Sequence, residues 1–559
     1  FGGSSLADAS CFPPVPANIC GHDHRRDTDP GHIIFPADRY LYMGAEGVKK
    51  QAEEKLANVD TSDPKQVEGI PFWRAVIIGM DGAITYANRF AAEAERQAAE
   101  CADPKRKQEL LEIAETCRRV PAKPARTMHE ALQAYVFFKT LCRIESIDHA
   151  SGPSRIDRWL FPFYDKDIKE GRITNDDALA LLEEFYIWLA ESSHYYTSGV
   201  LSWYSGAASF HLLTVGGVDQ KGRDSTNDLS YLCLDAYINT NLFQPSMCVR
   251  VHSQSPQKFL EKVGEVVALG GGQPSIVNDE AFIPALLALP RGLNDPDLTI
   301  ELAREYCPVG CSEPSVPTHY GCPMHSYINY GALIELALNR GESHLYKRRM
   351  IASDPGDARE FKSMDDVLKA LDIVFKDIMD VDEGLVMTQE QVEREFYPTV
   401  WQSAFMEDCV ERGLAKENGG ARYNYGGPGT CIGYADAGDS LAAIEQVIFI
   451  DKKYTMKDLC DALDANFEGW DDLRKALQAA PKFGSDNDQA DKWCRYVHDL
   501  YNTSVVKRRN RRGGALMPGA VSMSVFVPHG EVCGALPSGR KAGEALANGV
   551  GATIGAESG

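Results

Sequence analysis

The chain has 559 residues, 44% hydrophobic and 25% charged, with a formal net charge of −22. That is ordinary globular composition, and the acidic balance disfavours nucleic acid or an anionic membrane surface as partner, leaving a small substrate that responds only to local charge. The 15 cysteines are scattered from Cys11 to Cys533, which reads as a reducing, cytoplasmic setting rather than a disulfide framework, and no run of about 18 apolar residues indicates a membrane span.

Residues 1–45, rich in Gly, Pro, Asp and His, read as loop, with no basic-then-apolar leader after Phe1. Charged, Ala-rich helical patterns follow at 46–60 and 85–118, and a more apolar helix at 127–145. The stretch 151–159, with Gly152 and Pro153, breaks it. A helix over 175–192 takes Asn175 as its N-cap. Residues 208–217 read as a buried strand ending at glycines, 227–237 as helix and 246–251 as strand. Further on, 329–339 is an apolar helix closed by Gly341, 364–398 is amphipathic helix, 419–428 is a rigid glycine loop, and Asp439 caps the next helix. The tail returns to strand at 521–527 and to glycine loop after His529. Alternating α and β without a linker argues for one large α/β unit over 1–559.

The stretch Cys307-Pro-Val-Gly-Cys311-Ser-Glu313-Pro-Ser-Val-Pro317 stands apart. Three prolines and a glycine exclude a regular helix or central strand. What remains is a stiff loop carrying a thiol and a carboxylate two residues apart, suited to paired hydrogen-atom and proton transfer. A surface turn with a buried free cysteine would use the same residues. Cys307, Cys311, Cys322 and His325 raise a metal site, but structural zinc uses paired ligands about two to four residues apart. Only Cys322 and His325 are that close, and Cys307-x-x-x-Cys311 is interrupted by proline, so no metal is assigned.

Glu445 lies four residues after Leu441 and three before Ile448, which puts it on the apolar helix face. Burial there raises its proton affinity and suits it to donate or accept a proton. A structural hydrogen-bond anchor is the competing reading. His344 follows the helix after the central stretch. No phosphate-cradling glycine loop, dinucleotide fingerprint or nucleophile elbow occurs.

Several separated motifs together resemble one family, the glycyl radical enzymes. Gly310-Cys-Ser-Glu313-Pro314 resembles its thiyl-radical loop. Gly419-Gly-Ala-Arg-Tyr-Asn424 with Asp439-Ser-Leu-Ala-Ala-Ile444, and Gly534-Ala-Leu-Pro-Ser-Gly-Arg540-Lys-Ala-Gly543, resemble later blocks, and Gly31-His32 an early one. The resemblance implies a ten-stranded β/α barrel of two antiparallel five-stranded halves ringed by helices, with Cys311 as thiyl radical carrier and Glu313 exchanging protons. Cys-x-Glu is similar to the dehydratase, C–N and C–S lyase and arylacetate decarboxylase branches, and unlike pyruvate formate-lyase, which carries two adjacent cysteines. Glu445 and His344 look like the pair that holds the phenol in 4-hydroxyphenylacetate decarboxylase (large subunit).

The resemblance therefore implies decarboxylation of an arylacetate, 4-hydroxyphenylacetate to p-cresol and carbon dioxide, with His344 and Glu445 binding the substrate. A dehydratase or C–N/C–S lyase acting on a small polar substrate is the alternative; a non-catalytic or metal-binding barrel is the reading from another class. The family implies no bound cofactor but a glycyl radical installed by an S-adenosylmethionine-dependent iron–sulfur activating enzyme. It also implies a homodimer or higher oligomer and, for the decarboxylase, a small iron–sulfur subunit. No terminal radical-glycine motif precedes Gly559 and Phe1 is not Met, so the chain is expected to be a fragment, incomplete at both ends and inactive alone.

Overall fold

The computed structural model describes residues 32–146, 150–192, 209–289, 295–310, 313–319, 327–428, 430–519, 525–553 and 556, with the backbone of Cys20–Gly21. After β1 (Cys20–Gly21) come four long helices, α1 (Ala37–Ala57), α2 (Pro64–Glu100), α3 (Pro104–Arg119) and α4 (Met128–Glu145). Asp63 and Asp103 cap α2 and α3, each followed by a proline whose missing N–H is not needed there. That second cap splits the helical pattern expected over 85–118. Ala83, Ala87, Ala91, Ala94 and Ala98 form a buried stripe on α2, and α2 packs against α3. The loop expected through residue 45 ends early, because α1 begins at Ala37 and is interrupted at Gly44, where φ is +68°.

A parallel sheet follows. β2 (Ser154–Arg155) leads into α5 (Ile156–Trp159), α6 (Phe161–Lys169) and α7 (Asn175–Glu191). Then come β3 (Leu212–Gly216), α8 (Asp228–Thr240), β4 (Ser246–Val251), α9 (Gln257–Val267), β5 (Ser275–Asn278) and α10 (Asp279–Ala288). The order is β2-β3-β4-β5, with Leu213 opposite both Ser154 and Met247. The N-cap of α7 is Thr174, not Asn175, because Thr174 and Asp177 satisfy each other's backbone N–H in a capping box.

The second half begins with α11 (Ile300–Arg304), β6 (Cys307–Val309), β7 (Glu313–Ser315), β8 (Tyr327–Asn329) and α12 (Tyr330–Leu338). Next are β9 (Glu342–Ser343), β10 (Arg348–Arg349), α13 (Met364–Phe396), α14 (Val400–Phe405) and α15 (Cys409–Arg412). The chain continues through β11 (Gly426–Pro428), β12 (Thr430–Ile432), α16 (Tyr434–Ala443), α17 (Met456–Asp464) and α18 (Asp471–Gln478). It closes with α19 (Asp488–Val505), β13 (Leu516–Met517) and α20 (Phe526–Glu531).

In a second sheet, β8 pairs parallel with β12 and antiparallel with β1; β11 and β13 form a parallel pair. Among the described residues the strands thus lie in separate sheets, the largest of four strands. Asp439 lies inside α16, fully buried, and is no cap. Of the strand expected at 521–527, residues 521–524 lie outside the described residues and Phe526 opens a helix.

Two large apolar cores hold these layers. One joins α1, α2, α4, α7 and α8 to β3 and β4; the other joins α12, α13, α16, α17 and α19. A smaller cluster, including Cys248, Val277, Tyr306, Val316, Tyr423 and Tyr425, links the parallel sheet to the central stretch. No helix of the described residues is long and apolar enough to cross a membrane.

Candidate active site

The stretch expected as an irregular loop is a short hairpin. β6 and β7 pair antiparallel, with Cys307 opposite Ser315, Pro308 opposite Pro314 and Val309 opposite Glu313. The prolines face each other across so short a ladder that only a few backbone bonds are needed. Cys311 and Ser312, in its turn, lie outside the described residues. The turn is entered at Gly310, whose φ of +57° only glycine adopts without cost. A Cβ there would sit 2.2 Å from His32 Nε2 and 2.9 Å from Glu313 Oε2.

Glu313 and His32 therefore converge over a residue that has no side chain. Their side chains stand 3.9 Å apart, Oε1 to Nε2, and the residues are 5% and 7% exposed. In so dry a place the interaction between a carboxylate and an imidazole is little screened. His32 also holds a left-handed φ of +44°, unusual for a non-glycine residue and characteristic of functional sites. The sequence reading passed over His32 as a site residue; the Gly31-His32 segment was its only signal.

The hairpin is anchored from below. Arg250 on β4 makes a two-pronged ion pair with Asp279, Nε to Oδ1 at 2.8 Å and Nη2 to Oδ2 at 2.9 Å. The same guanidinium donates to the carbonyls of Tyr306 and Arg304 at 2.8 and 3.0 Å, and the Tyr306 hydroxyl donates to Asp279 at 2.8 Å. The chain entering β6 is thus tied to the end of the parallel sheet. At its back Cys307 lies buried, its thiol 3.3 Å from the Thr214 hydroxyl, and burial pushes that thiol up to about 11. Among the described residues no group of three His, Cys, Asp or Glu is placed to hold a metal; Cys311, Cys322 and His325 lie outside them.

His344 and Glu445 do not share a site with each other through any described contact. His344, between β9 and β10, bonds Glu335 of α12 through Nδ1 at 3.0 Å and Asp464 of α17 through Nε2 at 2.9 Å. The bond to Glu335 holds its pKa above the ordinary value, against burial. Glu335 also accepts from the Gly534 N–H at 2.7 Å, so His344 belongs to a junction that docks the 533–548 block. In that block Arg540 donates to the carbonyls of Gly530 and Gly534 at 2.7 and 2.8 Å and also reaches those of Cys533, Glu544 and Ala545.

Glu445 corrects the expected helix phase. Leu441, Ile444 and Ile448 are buried as expected, but from Ile444 to Ile450 the helix widens to a π-helix. The wider turn advances each residue by a smaller angle, and Glu445 comes round to face α19. Its side chain, 19% exposed, bonds Lys492, Trp493 and Gln489. Burial pushes its pKa up, but those donors outweigh it and hold the carboxyl below its ordinary value. This is opposite to the raised affinity expected from the sequence.

Comparison with known proteins places this geometry. The pyruvate formate lyase-like family model matches residues 18–530. Isethionate sulfite-lyase of Nitratidesulfovibrio vulgaris is 34% identical over 539 residues, covering 94% of this chain and 63% of its own length. (2S)-3-sulfopropanediol dehydratase of Klebsiella oxytoca is 31% identical over 525 residues, covering 93% and 62%. Indoleacetate decarboxylase of Tractidigestivibacter scatoligenes, at 30% identity, covers 92% and 61%. The glycerol-bound B12-independent glycerol dehydratase of Clostridium butyricum superposes with a TM-score of 0.92 at 31% identity, over 99% of this chain and 69% of that one. The chain thus spans 61–63% of the length of these curated relatives. With the match running through both the hairpin and the glycine loop, the chain belongs to the pyruvate formate lyase-like family of glycyl radical enzymes.

Proposed function

We propose that the intact protein is a radical lyase that removes a polar leaving group from a small polar substrate, by dehydration or by C–S or C–N cleavage. The observation that carries this reading is the His32–Glu313 pair, two hydrogen-bonding groups converging at Gly310, the residue before Cys311 in the sequence. Glu313 accepts the proton of a substrate hydroxyl, and His32 hydrogen-bonds the same substrate's oxygen. The Cys311 thiyl radical takes a hydrogen atom from the adjacent substrate carbon, the leaving group departs with the proton relayed from that hydroxyl, and Cys311 returns the hydrogen atom to the product radical, which regenerates the thiyl. An S-adenosylmethionine-dependent activating enzyme supplies the radical from which the cycle starts. Exclusion of water by the buried walls keeps the radical from side reactions. The dehydratase and sulfite-lyase among the relatives support this class. A cytoplasmic, homo-oligomeric protein and the ten-stranded barrel of two antiparallel halves belong to the same proposal.

The second reading is decarboxylation of 4-hydroxyphenylacetate, with His344 and Glu445 at the phenol and a small iron–sulfur subunit. It is favoured by the Cys-x-Glu pattern and the indoleacetate decarboxylase among the relatives. It ranks second because Glu445 is ion-paired to Lys492 with a lowered pKa, which makes it a weaker base toward a phenol of pKa about 10. The test is anaerobic turnover by the activated full-length protein on a panel of 1,2-diols, hydroxysulfonates, 4-hydroxyphenylacetate and indoleacetate. Loss of water or sulfite, abolished in Cys311→Ser, is the expected result. p-Cresol as the sole product, lost in Glu445→Gln, would establish the second reading instead.

A further inference from the structure

Glu313 owes its position to β7, and β7 is only three residues long. Two residues on from Glu313, and so on the same face of the strand, Ser315 lies buried with its hydroxyl 2.8 Å from His319 Nδ1. The other ring nitrogen, Nε2, is 2.8 Å from the Tyr425 carbonyl oxygen. A carbonyl can only accept, so Nε2 carries the proton, Nδ1 is bare, and the Ser315 hydroxyl donates to it. The ring also stacks on the Tyr425 side chain, with centroids 3.4 Å apart and planes 20° from parallel.

His319 is buried, and both ring nitrogens have partners that suit the neutral form. Burial drives its pKa down to about 3, with the Arg512 charge in the same direction and the bond to Tyr425 opposing them. Arg512, the nearest charged group, is itself paired with buried Glu390 of α13. The backbone repeats the connection: His319 bridges Tyr423, and the Tyr423 N–H reaches the Thr318 carbonyl at 3.4 Å.

We infer that Ser315 and His319 are positioning residues that clamp the Glu313 strand to the 419–428 glycine loop, holding the Glu313 carboxylate against His32. The clamp links two segments that the sequence shows only as separate motifs. Because it is neutral at working pH, it fixes the strand without competing for the proton that Glu313 handles. Its catalytic meaning rests on the proposed lyase reading; its existence as a clamp does not.

Two variants dissect it. Ser315→Ala removes the donor and adds no bulk. His319→Gln keeps a donor near the Nε2 position for the Tyr425 carbonyl but puts no acceptor where Nδ1 stands beside Ser315. Hydrogen exchange of the unactivated protein, read by mass spectrometry, is expected to speed by tenfold or more in peptides covering 313–319 in either variant. Peptides of α2 should be unchanged. In the activated full-length enzyme kcat should fall about 10²-fold, the scale expected for a small misplacement of a reacting group, with KM within threefold and an unchanged thermal midpoint. The double variant should lose no more than either single one, since both break the same contact. Unchanged exchange at 313–319 overturns the clamp. Faster exchange with kcat and KM both unaltered overturns its positioning role and leaves only a structural one. A wild-type enzyme that turns over no substrate sinks the lyase reading, while the exchange experiment still decides the clamp.

Discussion

Replacing Gly310 by alanine tests the site's geometry most directly. Two costs act at once. A residue with a Cβ at φ +57° pays about 1–2 kcal/mol for the left-handed backbone. The new methyl, 2.2 Å from His32 Nε2 and 2.9 Å from Glu313 Oε2, must also displace side chains that have little room, as the residues are 7% and 5% exposed. Overpacking of that kind costs about 1–3 kcal/mol, for a total of about 2–5 kcal/mol. Gly543 is the internal control: its φ is +79° and nothing lies within 4 Å of its Cβ position, so Gly543→Ala carries only the backbone cost of about 1–2 kcal/mol. Urea unfolding followed by circular dichroism should show Gly310→Ala the less stable of the two by about 1–3 kcal/mol. Activity of the full-length Gly310→Ala enzyme should fall by about 10²-fold as the His32–Glu313 pair opens. Equal urea midpoints for the two variants would refute the claim that His32 and Glu313 press on Gly310.

Arg250→Leu leaves Asp279 buried without its counter-charge and should destabilise by about 3–5 kcal/mol in the same assay; a loss under about 1 kcal/mol would mean that the pair does not anchor the hairpin. His344 has a folded pKa above its unfolded one, so it binds more protons folded. Its contribution is fully present below the ordinary histidine value near 6.5 and is lost as pH rises through the folded value. The stability difference between wild type and His344→Gln should therefore shrink on going from pH 6 to above that value; growth of the difference would reverse the assignment. Glu445→Gln breaks a half-exposed ion pair and should cost less than about 1 kcal/mol, with turnover on a polar substrate within threefold of wild type; a loss of a hundredfold would return Glu445 to the chemistry.

The hydrophobic stripe Leu441-Ile444-Ile448, the apolar helix after the central stretch and the parallel strands at 212–216 and 246–251 are legible in the sequence because burial imposes periodicity on neighbouring residues. The orientation of Glu445 was not legible, because one π-helical segment changes the phase and no local pattern announces it. The hairpin was hidden by its prolines, which read as loop when pairing is not known. His32 was missed for a different reason. Its partners Gly310 and Glu313 lie far along the chain, and the fold, not any local spacing, brings them together. The same holds for His319, whose role depends on Tyr425 in another motif.

Arg540 has a consequence for how the molecule comes apart. Around it the backbone forms neither ladder nor helix beyond the short turn at α20, and one guanidinium donates to several carbonyls from Gly530 to Ala545, alongside the turn bonds that Gly530 and Cys533 accept from the Cys533 and Gly543 N–H groups. Such a segment has only isolated turns to fall back on. Either the side chain is seated and the loop is closed, or it leaves and the carbonyls of Gly534, Glu544 and Ala545 need water together. The block therefore opens as one cooperative unit rather than fraying from an end, and Glu335, bonded to Gly534 and His344 alike, couples that opening to the second core.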